Sequence, residues 1–201
     1  VFTTSHYTAE RLQAFGVTPA RVTTALPSVD DAFFQQSPRN NRRDATRAIH
    51  LLCVGHLSPR KAQHQLIQAL AQLTHLNWRL RLVGSAGRAT DYASGVRALV
   101  RESGLESRVE FAGELGEADV LKAYQQADLF VFPSLYEGYG MVIDEALAAG
   151  LPVLSSDGGA LALTGAKPGV ELYEAGNVAA LATRLTRLIA EPDAVEALVA
   201  G

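Results

Sequence analysis

Residues 129–155 read LFVFPSLYEGYGMVIDEALAAGLPVLS, and their pattern of apolar, polar and glycine residues indicates the architecture of the chain. Its first four residues are apolar and stop at Pro133, as expected of a strand that is buried on both faces. Apolar residues at helical spacing predict a helix over 141–149, and residues 152–155 form a second apolar strand. A buried strand, a helix and another buried strand predict a parallel sheet with helices packed against it.

The same alternation of strands and helices extends outward in both directions. Further strands are predicted at 49–54, 79–83, 108–112 and 169–173. Helices are predicted at 62–75, 91–103, 117–127 and 177–190. Because crossovers between parallel strands are right-handed, this order predicts an α/β fold, a Rossmann-like, doubly wound parallel sheet. Such sheets bind ligands outside the carboxyl ends of their strands.

The sequence divides into three parts. Residues 1–36 form a first unit, residues 37–48 are a polar, arginine-rich linker or exposed loop, and residues 49–201 hold the sheet. The chain starts at Val1 within a strand-like segment and stops in a helical stretch, so we expect a fragment of a longer protein. The first unit contains a strand ending at Thr4, a helix over 8–15 that Ser5 caps, and a strand over 21–26.

Composition excludes several classes of protein. The chain has 201 residues, of which 18 are basic and 21 acidic, and its formal net charge is −3. Apolar residues make up 48% of it, which excludes a disordered chain. The slight acidity argues against nucleic-acid binding, which needs a basic surface. No apolar run reaches the roughly 18 residues of a membrane-spanning helix, and a single cysteine, Cys53, excludes a disulfide scaffold.

Two basic residues follow the first strand of the sheet where an anion would be favoured. The loop GHLSPRK at 55–61 leads into a helix, and Arg60 and Lys61 stand at the helix N-terminus. Cations are unfavourable there unless an anion lies nearby, because the helix dipole is positive at that end. A bound phosphate would resolve the conflict, and Gly55 would let it approach the backbone. Two solvated charges in a loop are an equally weighted alternative.

The richest candidate site lies in the loop and helix of 133–146. Glu137 precedes the helix, Glu145 lies on its second turn, and Gly138 and Gly140 expose backbone N–H groups. Carboxylates accept hydrogen bonds from sugar hydroxyls and amides donate to phosphate, so the arrangement suits a polyhydroxylated, phosphorylated ligand. A carboxylate at a positive helix end and a solvated helix residue are the alternatives for the two glutamates, at even weight.

The remaining motifs are weak or missing. The loop after the first strand lacks Gly-x-Gly-x-x-Gly, and the chain lacks both a Gly-x4-Gly-Lys-Ser/Thr phosphate loop and a Gly-x-Ser-x-Gly elbow. The five histidines have no metal-ligand spacing with Cys53, so no metal site is predicted. The pair Gly158-Gly159, after the strand at 152–155, forms either a tight turn or an anion-binding nest.

Together these segments resemble the donor-binding half of a family 4 glycosyltransferase, the group 1 family with the GT-B fold. The most specific feature is the Glu-x7-Glu pattern that starts at Glu137. The segment 54–61 resembles the diphosphate loop of the family, and RVEFAGEL at 108–115 resembles the strand and turn beside the base. Residues 5–30 are similar to the end of the acceptor-side domain and the crossing to the donor side. The resemblance covers roughly residues 50–190.

The resemblance implies a role for each matching residue. The catalytic group would be Glu137, Lys61 and Arg60, with the two cations binding the donor diphosphate in place of a metal ion. Glu137 would accept from hydroxyls of the transferred sugar, and Glu145 from the ribose. Family members generally retain anomeric configuration and need no metal or cofactor, the nucleotide-diphosphate sugar being a substrate. The other donor-binding positions are Gly55, His56, Gly138, Tyr139, Gly140, Met141, Glu114 and Leu115, the last two beside the base.

The sequence departs from the family pattern at two places. His56 stands where the family often has arginine, and Ala160-Leu161-Ala162 replaces a frequent Pro-Glu. The alternatives are therefore a non-catalytic nucleotide-sugar-binding module and a sugar-nucleotide 2-epimerase-like enzyme, although the Glu-x7-Glu context opposes the epimerase. The absent acceptor-side domain would bind the acceptor, a sugar or lipid-linked glycan, so this fragment alone is expected to be inactive. We expect a cytoplasmic protein, peripheral to the membrane if its acceptor is a lipid.

Overall fold

The computed structural model describes residues 1–34, 47–87 and 89–200. The linker predicted at 37–48 therefore lies almost wholly outside the described residues. Within the described ranges, no helix is both long enough and apolar enough to cross a membrane.

A small β–α–β unit opens the chain. It consists of strands β1 (Phe2–Thr3) and β2 (Thr23–Thr24), which pair in parallel, and the connecting helix α1 (His6–Ala14). Ser5 caps α1 as predicted, because its hydroxyl accepts a hydrogen bond from the Thr8 amide at 3.0 Å. The strand predicted over 21–26 is wrong in its extent. Pro19–Arg21 instead form a 3-10 helix, since proline presets the helical φ at its first position, and only two residues then pair.

The larger unit is a six-stranded parallel sheet. Its strands are β3 (Ile49–Val54), β4 (Trp78–Val83), β5 (Val109–Gly113), β6 (Leu129–Phe132), β7 (Val153–Ser156) and β8 (Val170–Tyr173). They lie side by side in the order β5-β4-β3-β6-β7-β8. Numbered within the sheet, this is the 3-2-1-4-5-6 order of a doubly wound Rossmann-type fold, and the predicted fold class is confirmed. The order reverses between β3 and β6, where sheets of this kind bind their ligands.

Helices cover both faces of the sheet. They are α2 (Gln63–Ala71), α3 (Thr90–Glu102), α4 (Glu117–Gln126), α5 (Met141–Ala148), α6 (Val178–Ala190) and α7 (Pro192–Ala200). Successive residues of β3 belong to two different core clusters, because side chains alternate across a strand. Leu51 packs in the cluster that includes Leu66 of α2 and Leu185 of α6. Leu52 packs in the cluster that includes Tyr124 of α4 and Ile143 of α5.

The structure differs from the predicted elements at α2 and at a short helix after β7. Helix α2 ends at Ala71 and not at residue 75, because the chain tightens into a 3-10-type turn in which the Leu73 amide donates to the Leu70 carbonyl at 3.0 Å. Ala160–Ala166 form a 3-10 helix that the sequence pattern did not predict. This short helix follows the Gly158-Gly159 pair directly and so borders the predicted site.

Candidate functional site

Two loops meet where the strand order reverses. The loop at 55–61 leaves β3 and the loop at 133–140 leaves β6. Their backbones are hydrogen-bonded, since the Leu135 amide donates to the Arg60 carbonyl at 2.8 Å. The Arg60 guanidinium in turn donates to the Tyr136 carbonyl at 2.7 Å. The two loops that carry the predicted site residues are therefore joined into one structural piece.

The carboxylate of Glu137 is the electrostatic centre of this piece. Its side chain is only 10% exposed, and Oε1 lies 2.7 Å from Lys61 Nζ and 2.6 Å from Arg60 Nη1. The hydroxyl of Ser134, a fully buried residue, donates to the same oxygen at 2.7 Å. Burial acts to raise the pKa of Glu137, but the three donors outweigh it and hold the pKa below its usual value. The anion that compensates the two cations at the start of α2 is thus a carboxylate of the chain itself.

Lys61 is held in place by its surroundings. Its side chain is 13% exposed and Nζ lies 4.6 Å from the centre of the Phe132 ring, a cation–π distance. The next residue, Ala62, is fully buried and adopts the left-handed conformation with φ at 52°. That conformation costs an alanine about 1–2 kcal/mol. The backbone at Ala62 is therefore strained directly beside Lys61, the residue predicted to bind phosphate, and such strain is frequent at functional sites.

Gln63 supports the loop from beneath, and sequence reasoning missed it. The residue is 1% exposed, and its Nε2 donates to the His56 carbonyl at 3.0 Å. The Tyr92 hydroxyl donates to its Oε1 at 3.3 Å. A polar residue one turn before Leu66, on the apolar face of a predicted helix, was the available signal. A buried amide on such a face needs partners, and the loop carbonyl is one of them.

The Gly158-Gly159 pair is a turn that holds Glu137. The Glu137 amide donates to the Gly158 carbonyl at 3.2 Å, and the Ala160 amide donates to the Glu137 carbonyl at 2.8 Å. A Cβ built at Gly158 would lie 2.3 Å from the Leu135 carbonyl oxygen. The close approach of the two backbone segments therefore requires glycine at this position. Of the two predicted alternatives, this favours a tight turn over an anion-binding nest.

The Gly138–Met141 segment is anchored from two sides. The hydroxyls of Ser5 and Thr8, at the start of α1, contact the Gly138 carbonyl oxygen, the second at 3.2 Å. On the other side, the Tyr139 hydroxyl donates to Asp144 Oδ2 at 2.7 Å. Gly140, with φ at 97°, makes the left-handed turn from which α5 begins, and Met141 is exposed.

Glu145 lies on α5 as predicted, with its own partner. Its Oε2 accepts a hydrogen bond from the Tyr124 hydroxyl at 2.9 Å, and the residue is half-buried. Burial raises the pKa of Glu145 above its usual value, and the neighbouring Asp144 charge acts in the same direction, against the Tyr124 hydrogen bond. The carboxylate form of Glu145 is therefore less favoured in the folded chain than it is in water.

We expect Glu145→Gln to stabilise the protein at pH 7. The folded-state pKa of Glu145 is raised, so its destabilising charge is present above that pKa and disappears as the pH falls below the unfolded value. An amide oxygen still accepts from Tyr124. Thermal unfolding of the variant should show a higher melting temperature at pH 7 and no difference at pH 4. An equal gain at both pH values, or the same gain from Glu10→Gln at an exposed position in the middle of α1, would contradict this expectation.

The remaining predicted residues border the same edge of the sheet. The His56 side chain is exposed, and Gly55 sits against the Lys61 side chain. Glu114 is exposed after β5 and lines a cavity of about 130 Å³ that Leu57 also lines. Leu115 is half-buried against the cluster of α4 and α5. The structure thus gathers the predicted residues along the carboxyl ends of β3, β5 and β6.

Other possible sites lie elsewhere or are not formed. A larger cavity of about 450 Å³ lies over β3, β4 and β5, is lined by His50, Arg81 and Glu110 among others, and contains none of the predicted site residues. In the described part of the chain, no three His, Cys, Asp or Glu side chains are grouped as metal ligands. The loop edge between β3 and β6 is therefore the candidate functional site.

Comparison with known proteins identifies what the chain resembles. The family model described as "Glycosyl transferases group 1" matches residues 34–200. A D-inositol 3-phosphate glycosyltransferase of Kineococcus radiotolerans is 33% identical over 164 residues, covering 76% of this chain and 38% of that protein. The protein of the same name from Thermomonospora curvata is 31% identical over 222 residues, covering 100% of this chain and 51% of that protein.

The fold is also found among solved structures. The crystal structure of Anabaena Alr3699/HepE in complex with UDP-glucose superposes with a TM-score of 0.85 at 25% sequence identity. The match covers 99% of this chain and 56% of that one. The chain thus spans about half, or less, of the length of these relatives.

Proposed function

Since the chain belongs to the group 1 family of glycosyltransferases, we propose that it forms the donor-binding half of an enzyme that transfers a sugar from a nucleotide-diphosphate sugar to an acceptor. The observation that carries the proposal is the Lys61–Glu137–Arg60 cluster at the reversal of strand order. Sheets of this topology bind nucleotides at that point. A cation pair with a fixed carboxylate suits a ligand with both phosphates and hydroxyls.

In this proposal the two oxygens of Glu137 have different tasks. Oε1 accepts from Lys61, Arg60 and Ser134 and fixes the carboxylate. The other oxygen, Oε2, would accept from hydroxyls of the transferred sugar. The fixed acceptor would orient the sugar before reaction, which lowers the entropic part of the barrier.

Lys61 and Arg60 would stabilise the leaving diphosphate. Negative charge accumulates on the leaving diphosphate as the bond between the sugar and its phosphate oxygen breaks. Cations already positioned at a helix N-terminus stabilise that charge without reorganising. This arrangement would replace a divalent metal ion. We propose that the leaving phosphate takes the acceptor proton and that configuration is retained, so Glu137 is assigned no nucleophilic role.

Glu145 and the edge beside β5 would hold the nucleoside. Glu145 would accept hydrogen bonds from the ribose hydroxyls. These hydrogen bonds would stabilise the carboxylate, whose burial raises its pKa. The backbone at Glu114 and Leu115 would border the base. The acceptor, a sugar or lipid-linked glycan, would approach from the side of the β1–α1–β2 unit, which already contacts Gly138.

The test of the proposed function is a panel of nucleotides. Thermal unfolding is measured with UDP, GDP, ADP and TDP and with their common sugar conjugates. A ligand present at about 100 times its dissociation constant adds roughly 2.7 kcal/mol of stability, which for a domain of this size is a rise of roughly 5–10 °C. A shift with one base supports the donor site and identifies the nucleotide. No shift with any of them, in this chain and in a longer chain that contains it, would overturn the proposal.

We expect Glu145→Ala to weaken nucleotide binding by about 1.5–3 kcal/mol, the range for hydrogen bonds to a charged group. The loss should be the same for a nucleoside and for its diphosphate, because both carry the ribose. Isothermal titration calorimetry measures the two affinities. Unchanged affinity in the variant would remove Glu145 from the ribose site.

A further inference from the structure

The pairing of Glu137 with both cations has a consequence for which ligand the site prefers. Lys61 and Arg60 carry two positive charges and Glu137 one negative charge, so the cluster presents a net charge of about +1 to a ligand. Any phosphate oxygen that Lys61 binds at about 2.8 Å lies within about 5.5 Å of Glu137 Oε1, which is 2.7 Å from the same ammonium. The carboxylate is therefore close enough to repel excess negative charge on a bound phosphate.

We propose that Glu137 makes the site discriminate between a nucleotide sugar and the free nucleoside diphosphate that remains after transfer. The inference rests on the proposed function and adds a specificity role to Glu137. In a nucleotide sugar each phosphate carries one negative charge. The free diphosphate ends in a phosphate monoester, which carries about −1.5 to −2 at neutral pH. Glu137 opposes the second ligand more strongly than the first.

The hydroxyls of the transferred sugar add to this difference. In the nucleotide sugar they donate to Glu137 Oε2 and so compensate the carboxylate that faces the diphosphate. The free diphosphate has no such donors, and the carboxylate then faces the terminal phosphate uncompensated. Both effects favour the substrate over the product, so Glu137 promotes release of the spent nucleotide.

The test compares two ligands in three proteins. Dissociation constants for a nucleoside diphosphate and its sugar conjugate, UDP with UDP-glucose or whichever pair the wild-type chain binds, are measured by calorimetry. Glu137→Gln keeps the shape of the side chain and removes its charge. We expect the ratio of affinities to move in favour of the free diphosphate by about tenfold or more, since like charges at this distance are strongly unfavourable. Glu102→Gln removes one charge at an exposed position at the end of α3 and is the matched control, and its ratio should equal that of the wild type.

The outcomes separate the two proposals. If neither ligand binds to this chain or to a longer chain that contains it, the proposed function itself is contradicted. A wild-type chain that binds both, with an unchanged ratio in Glu137→Gln, overturns the discrimination while leaving the donor site intact. Because Glu137→Gln removes a buried charge from two cations, its folding is checked by circular dichroism first. If it is unfolded, the wild type decides with the β-methyl ester of UDP, which lacks the extra charge. The ester should bind at least as tightly as UDP, and tighter binding of UDP than of the ester would overturn the inference.

Discussion

Replacing Lys61 by alanine is expected to weaken binding of a nucleoside diphosphate by about 2–5 kcal/mol, the range for removing one partner of a buried, hydrogen-bonded charge pair. This corresponds to at least about 30-fold in affinity. Lys61 is nearly buried and its position is fixed by Glu137 and the Phe132 ring. The binding of the nucleoside without phosphates should change little, since nothing in the proposal brings Lys61 to the base or ribose.

Calorimetry with uridine and UDP, or with the pair that the nucleotide panel selects, measures the effect. Lys122→Ala is the matched control, because Lys122 forms an exposed pair with Asp119 on α4, away from the loops. It should bind both ligands as the wild type does. Equal losses for the nucleoside and the diphosphate in Lys61→Ala would remove Lys61 from the phosphates and with it the central part of the site.

Gly84→Ala is expected to destabilise the fold by about 2–6 kcal/mol, the sum of backbone strain and overpacking. Gly84 ends β4 with φ at 145°, a conformation that alanine rarely adopts. Its added Cβ would lie 2.1 Å from the Gly55 carbonyl oxygen, and a backbone atom cannot rotate away as a side chain can. The clash would push apart the ends of β3 and β4 and displace the loop at 55–61.

Urea unfolding of the variant checks this expectation. Gly95→Ala is the control, because Gly95 lies inside α3 and its Cβ would meet no atom within 4 Å. Alanine is a better helix former than glycine, so this variant should gain about 0.5–1 kcal/mol. A Gly84→Ala variant within 1 kcal/mol of the wild type would show that the two loop ends do not approach as described.

The fold was predictable because β3, β4, β5 and β6 are short segments rich in apolar residues, and each ends at glycine or is followed directly by glycine or proline. The run from Leu129 to Phe132, stopped by Pro133, has few other interpretations, and its neighbours repeat the pattern. The 3-10 helix at Ala160–Ala166 was missed because seven residues are too few to establish a period. The strand predicted at 21–26 is longer than the observed strand, because a local sequence pattern does not reveal how many residues pair with a neighbouring strand.

The site was predictable as a set of residues and not as a set of contacts. Lys61 and Glu137 were singled out from separate loops, one for its place at a helix N-terminus and the other for its place before a helix. Their direct pairing depends on the strand order, which brings β3 beside β6 across more than 70 residues of sequence. Gln63 was missed for the same reason, because its partners, the His56 carbonyl and Tyr92, become neighbours only in the folded chain.

The hydrogen bonds from Ser5 and Thr8 to the Gly138 carbonyl fix the orientation of the whole peptide group between Gly138 and Tyr139. A trans peptide is planar, and its C=O and N–H point in opposite directions. With the Gly138 oxygen turned toward α1, the N–H of Tyr139 must face the other way. Two hydroxyls some 130 residues earlier in the sequence therefore determine the direction in which the dipole of this peptide group points. If those hydrogen bonds were broken and the peptide turned over, the same place would present a partial negative charge where it now presents a positive one, and its attraction for an anion would become repulsion.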